Sequence, residues 1–163
     1  MARIELIKGG KTKICGGVLL SRMHVLTAAH CLDEKVKNSY FVYVGDIDQE
    51  RVREVGEQKL GIRDWAIHPQ YNKTKYLNDI GIITLDWPGA VFNENVSAIS
   101  LPDATASYQP GQSCSIAGWG ISGPGSGVER YLKTATVDIL SQGDCQAQFP
   151  QKNLTDGMFC AGK

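Results

Sequence analysis

His30 is the next-to-last residue of the segment Val25-Leu26-Thr27-Ala28-Ala29-His30-Cys31, and Asp79 opens the segment Asp79-Ile80-Gly81-Ile82-Ile83-Thr84-Leu85. The first reads as a strand that ends in small residues and then presents an imidazole. Its freedom is small if the adjacent Cys31 is locked to Cys15. The second places a carboxylate just before a buried strand, where an unpaired charge is costly and a donor is required. An Asp that accepts from one imidazole nitrogen fixes the tautomer and leaves the other nitrogen as a general base. Such a pair serves proton transfer to and from a nucleophile. Ser126 is no obvious nucleophile: Pro124 and Val128 stand where a Gly-x-Ser-x-Gly elbow has glycines, so it reads as a loop serine.

The five cysteines are Cys15, Cys31, Cys114, Cys145 and Cys160. None forms a Cys-x-x-Cys pair, which excludes the common zinc-ribbon and thioredoxin-like spacings. Cys15 and Cys31 are 16 apart, and Cys145 and Cys160 are 15 apart. Closing a loop of that size contributes roughly 3 kcal/mol through the unfolded state. Two readings stand side by side: five reduced thiols buried as small hydrophobes, or a secreted disulfide framework with one partner missing. Three sequons, at Asn72, Asn95 and Asn153, are candidate glycosylation sites. The N-terminus Met-Ala-Arg-Ile-Glu-Leu-Ile-Lys has neither the apolar stretch nor the cleavage site of a signal peptide, and taken literally predicts a chain that is not exported.

The elements that must position His30 and Asp79 are short strands. Tyr40 to Val44 is aromatic and β-branched and stops at Gly45. Arg3 to Ile7, Ile14 to Leu20, Met23 to Ala28, Lys59 to Ile67, Ser113 to Trp119 and Tyr131 to Leu140 read as further strands. Ile80 to Leu85 is a continuous apolar run, expected to be a fully buried strand. Asp144 to Phe149 reads as one short helix, and Met158 to Cys160 as the start of a last strand. Gly123 to Gly127 reads as a mobile loop. The mixed charges of Asp46 to Glu57 suggest a solvated loop or edge, and His24 reads as a partly buried packing residue and Trp119 as a structural one. With no long helical period, many short strands point to an all-β sandwich or barrel.

Composition agrees with that class. The chain has 163 residues, 42% hydrophobic and 21% charged, with 17 basic and 17 acidic side chains. The balance argues against a nucleic-acid partner. No apolar run is long enough to span a bilayer, so no membrane partner is expected.

Taken together, Thr27-Ala28-Ala29-His30-Cys31, Asn78-Asp79-Ile80-Gly81-Ile82, Gly118-Trp119-Gly120 and Met158-Phe159-Cys160-Ala161-Gly162 resemble the chymotrypsin-like (trypsin-like) serine endopeptidases. The resemblance covers nearly the whole chain, from about Ile4 onward. It implies two antiparallel β-barrels with the active site between them: a nearly complete first barrel over 1–100 and an incomplete second barrel over 101–163. It implies His30 as general base, Asp79 as its orienting carboxylate, disulfides Cys15–Cys31 and Cys145–Cys160, and Cys114 unpaired within this chain. It also implies an extracellular protein acting on polypeptide substrates and answering to protease inhibitors, with no cofactor and no metal. Some members of the family bind calcium at the loop that carries Asp46, Asp48, Glu50, Glu54 and Glu57. Here Arg51 and Arg53 interrupt the acids, and no calcium is expected.

The family's nucleophile lies in Gly-Asp-Ser-Gly-Gly, which these 163 residues do not contain, nor do they hold its oxyanion hole or activation terminus. The expectation is therefore a chain incomplete at both ends and inactive by itself. The alternative is a non-catalytic homologue that acts as a binding or decoy module. Substrate preference is not legible, because the specificity pocket's floor is not in the sequence.

Overall fold

The computed structural model describes residues 1–33, 39–51, 54–152 and 154–162. Six strands close a barrel in the order β1-β2-β3-β6-β5-β4, every pair antiparallel. These are β1 (Ala2–Lys8), β2 (Lys11–Leu19), β3 (His24–Thr27), β4 (Tyr40–Val44), β5 (Gln58–Ile67) and β6 (Gly81–Leu85). A second sheet has the order β7-β8-β9, from β7 (Ser113–Gly118), β8 (Lys133–Ile139) and β9 (Ala161–Gly162). One helix, α1 (Gln142–Gln148), is capped at Ser141, whose hydroxyl accepts the Asp144 N–H at 3.0 Å.

Local chemistry explains the barrel's path. Gly9 and Gly10 both have positive φ, 56° and 74°, so β1 and β2 are joined by a two-residue turn that only flexible residues make easily. β4 alternates in burial: Tyr40, Val42 and Val44 are buried, and Phe41 and Tyr43 face out beneath Lys59. β5 pairs with β4 through Gln58–Gly61 and with β6 through Ile62–Ile67, and the register slips between Ile62 and Asp64. That bulge lets one strand turn the corner of the barrel. Ile4, Val25, Val42, Val44, Ile83 and Leu85 fill the interior.

Several expectations need correcting. Ile80–Leu85 is not buried on both faces: β6 starts at Gly81, Ile83 and Leu85 point inward, and Ile82 is 40% exposed. The acidic stretch after Gly45 is not simply solvated. Asp46 and Asp48 are buried, where Arg3 and Arg130 meet their carboxylates. His24 is exposed, and its Nδ1 lies 2.9 Å from the Ser21 hydroxyl instead of packing. The last strand begins at Ala161 rather than Met158. Residues 123–127 are irregular, as a loop reading expects, and Ser126 N–H donates to the Gly123 carbonyl at 3.1 Å. Trp119 is buried and its indole N–H donates to the Ile47 carbonyl at 3.2 Å, a structural role as expected.

The barrel and the second sheet meet along residues 47–49. Leu132 N–H donates to Ile47 O at 2.8 Å, Gln49 N–H to Arg130 O at 3.0 Å, and Asp48 bridges Tyr131. The Arg130 guanidinium clamps the Asp48 carboxylate with two bonds, 2.8 and 2.7 Å.

Candidate active site

The register of β3 against β6 brings the candidate residues together. Thr27, the last residue of β3, pairs with Gly81, the first of β6. The chain leaving β3 and the chain entering β6 therefore share one end of the barrel. Gly81 allows this closeness: a Cβ there would lie 2.9 Å from Leu32 Cδ1 and 3.2 Å from the Ala66 carbonyl oxygen. After β3, Ala28 stays extended and Ala29–Cys31 tighten into a single 3₁₀ turn, with Cys31 N–H donating to Ala28 O at 3.1 Å. His30 is the middle residue of that turn.

Four contacts hold the turn. Cys31 is bonded to Cys15 on β2, with the two Cα atoms 6.1 Å apart. The Thr27 hydroxyl donates to Gly16 O at 2.8 Å, and the Tyr40 hydroxyl donates to Cys31 O at 3.1 Å. The Lys13 ammonium donates to His30 O at 2.9 Å. Asp79 is positioned by the residue before it: Asn78 has φ 53° and its side-chain amide donates to Gln70 O at 3.0 Å.

One carboxylate then meets His30 twice. Asp79 Oδ1 accepts the His30 backbone N–H at 2.8 Å, and Oδ2 lies 2.7 Å from Nδ1. A carboxylate can only accept when ionised, so the ring carries its proton on Nδ1 and leaves Nε2 as the free base. The His30 side chain is 41% exposed and that of Asp79 19%, so the pair is partly shielded while the ring still reaches solvent. Tyr76 meets the imidazole edge-on, with ring centroids 5.9 Å apart. Burial pushes the nearby Tyr71 phenol up, and the Asp79 and Asp33 carboxylates push the same way. An open cleft of about 1240 Å³ runs between the barrel and the second sheet, with Ala28, Tyr76 and Asp79 on one side and Ser115, Ile116 and Met158 on the other.

The remaining candidates lie elsewhere. Ser126 is engaged within its own turn, accepting from Gly123 N–H at 3.0 Å and donating to Gly123 O at 2.8 Å. Cys145, on α1, is bonded to Cys160, and Cys114 is a free thiol. Asn72 and Asn95 are exposed on turns. Asn153 lies outside the described residues, as does Arg53. Among the described residues, the one group of three His, Cys or acidic side chains that could converge on a metal is Cys15, His30 and Cys31. Sequence reasoning missed Lys13 and Tyr76 as neighbours of His30. Lys13 carried a usable signal, since it precedes Cys15 by two on the same strand. Tyr76 carried none, because its approach depends on a backbone with φ 53°.

Comparison with known proteins matches residues 1–163 to the Trypsin family model. Dog anionic trypsin is 38% identical over 149 residues, covering 91% of this chain and 57% of that protein. The solved structure of GrC superposes with a TM-score of 0.88 at 29% identity, over 99% of this chain and 69% of that one. Mouse neuropsin, a serine protease expressed in the limbic system of the brain, superposes with a TM-score of 0.81 at 35% identity, over the same shares. The chain thus spans little more than half the length of the curated dog relative.

Proposed function

This chain belongs to the trypsin family of chymotrypsin-like serine proteases, and on that premise we propose that it carries the acid–base half of a serine endopeptidase. His30 is the general base and Asp79 the carboxylate that orients it. The observation that carries the reading is the two-point contact of Asp79 with both the ring and the backbone of His30. Nε2 takes the proton of a serine hydroxyl as its oxygen attacks the peptide carbonyl, and later gives it to the leaving amine. Water then opens the acyl-enzyme by the same route. Asp79 keeps the tautomer and faces the positive charge that builds on the ring.

The 163 residues contain no Gly-Asp-Ser-Gly-Gly. Hydrolysis is therefore proposed for the whole protein, on polypeptide substrates and subject to protease inhibitors, and the 163-residue polypeptide by itself is proposed to be inert. The functional division falls at 1–100, with the His/Asp pair, and 101–163. Two disulfides suit an extracellular location, where Asn72, Asn95 and Asn153 are candidate glycan acceptors. A purely binding or decoy role fits less well, since nothing in binding requires the assembled His30–Asp79 pair.

The test is hydrolysis of peptide esters and amides by the whole protein and by the 163-residue polypeptide in parallel. The whole protein should turn over, and His30→Ala should cost several powers of ten, about 10⁴ or more. The polypeptide should show no His30-dependent rate. Turnover by the polypeptide, lost in His30→Ala, overturns its inertness; a whole protein indifferent to His30→Ala overturns the assignment.

A further inference from the structure

The Cys15 and Cys31 sulfurs and a ring nitrogen of His30 all lie within 4.8 Å of one another. Within that group, Cys31 Sγ and His30 Nε2 are 3.5 Å apart. A tetrahedral zinc ion with Zn–S near 2.3 Å and Zn–N near 2.05 Å holds its S and N ligands about 3.6 Å apart. The separation a zinc ion needs is therefore already present. The other ring nitrogen completes a second requirement. Metal-bound histidines usually donate their remaining N–H to a carboxylate, which fixes the tautomer and strengthens the ligand. His30 does this: Nδ1 faces Asp79 Oδ2 at 2.7 Å.

We propose that reduction of the Cys15–Cys31 bond converts this corner of the barrel into a zinc site, with Cys15, Cys31 and His30 as protein ligands and water in the fourth position. The electrons come from a dithiol reductant. It transfers two electrons and two protons to the sulfur–sulfur bond and leaves as its own disulfide; zinc then displaces the two thiol protons. Cys15 is partly exposed and gives the reductant access. Two thiolates and an imidazole are a donor set that suits zinc over the hard cations. The Cα atoms of the two cysteines stand 6.1 Å apart, so the sulfurs reach a common ion by side-chain rotation. The turn does not depend on the disulfide alone, because Thr27, Tyr40 and Lys13 bind its backbone and its neighbour strand separately. The 41% exposed imidazole leaves room for the water.

The zinc form and the disulfide form exclude each other. In the zinc form the Nε2 lone pair is committed to the metal and is not available as a base. That last consequence rests on the proposed function; the metal site itself does not, and its test reads the metal alone.

The full chain is reduced by a dithiol under argon, freed of reductant and titrated with Co²⁺, then back-titrated with Zn²⁺. Tetrahedral cobalt bands with a thiolate charge-transfer band should appear at one equivalent and vanish with Zn²⁺. His30→Ala should weaken binding at least about 10-fold, and Asp79→Asn by about 10–100-fold, as for other outer-shell carboxylates. Cys145→Ser with Cys160→Ser should leave the bands unchanged. Cys15→Ser and Cys31→Ser should each abolish the bands; should these variants fail to fold, alkylation of the wild-type chain decides: adding zinc should lower the labelling of Cys15 and Cys31 and leave that of Cys114, Cys145 and Cys160 unchanged, Cys145 being buried with or without the metal. Absence of the bands, bands indifferent to His30→Ala, or a zinc-dependent loss of labelling at Cys145 and Cys160 instead of Cys15 and Cys31 would each overturn the site.

Discussion

Asp79 holds His30 by two bonds of different kinds, and a single substitution separates them. In Asp79→Asn the carboxamide oxygen can still accept the His30 backbone N–H now bound at 2.8 Å. The carboxamide nitrogen can only donate, and it would then face Nδ1, now 2.7 Å from Oδ2. The ring must move its proton to Nε2 to accept that bond, so the base is lost while the fold is kept. The expected outcome is a change of imidazole tautomer, from Nδ1–H to Nε2–H, in the nitrogen NMR spectrum of the 163-residue polypeptide. In the whole protein, hydrolysis should fall by about 10⁴. An unchanged tautomer would remove Asp79 from the orienting role. Lys13 acts on the same residue from the other side, through the His30 carbonyl, and so holds the backbone rather than the ring.

Among the elements, the pairing of β3 with β6 does what no single residue can. It sets Thr27 against Gly81 and so places two residues, distant in sequence, at one barrel end. This much was legible from residues 27–31 and 78–82, because each motif sits at a strand end. β4 was legible to the residue, since its aromatic and β-branched run stops at a glycine. β6 was read as buried on both faces because a continuous apolar run does not show which face is covered. The acids after Gly45 were read as solvated because their partners are remote: Arg3 lies 43 residues from Asp46, and Arg130 lies 82 residues from Asp48. The same segment has an acid response that can be measured. The Arg130 guanidinium holds the Asp48 carboxyl below its ordinary value of 3.8, so the folded state binds that proton less readily than the unfolded state. The pair's contribution is therefore complete above the ordinary value and is lost as pH falls through the lower folded one. Asp46 runs the opposite way, since burial pushes its carboxyl up. Asp103 shifts in the same direction as Asp48, but its carboxylate accepts from the neighbouring Thr105 and not from across the two sheets. Asp48→Asn should thus flatten the loss of stability in urea titrations below about pH 4, and Asp103→Asn should leave the contact between the two sheets unaffected. Parallel acid profiles for wild type and Asp48→Asn would contradict this.

At the scale of the molecule, the two sheets differ in how their edges are managed. The barrel closes on itself, so each strand has neighbours on both sides. β7 pairs only with β8 among the described residues, and its residues Ser115, Ile116 and Ala117 line the cleft. Burial follows the same division. β1 hides Ala2, Ile4 and Leu6 in the core, whereas β7 leaves Ile116 53% exposed. A sheet with an open edge and an uncovered apolar face unfolds locally at lower cost and invites association. Among the described residues, a narrow seam at residues 47–50 ties it to the barrel, where Ile47, Asp48, Gln49 and Glu50 meet Arg130, Leu132 and Trp119. The 163-residue polypeptide should therefore show two levels of hydrogen-exchange protection. Amides of β1, β3, β4 and β6 should exchange slowest, and those of β7 faster by on the order of 100-fold or more. Association at high concentration should begin at β7, and Ile116→Lys should suppress it without changing barrel protection. Equal protection in both sheets would mean that the seam alone couples them into one cooperative unit, and would overturn the division.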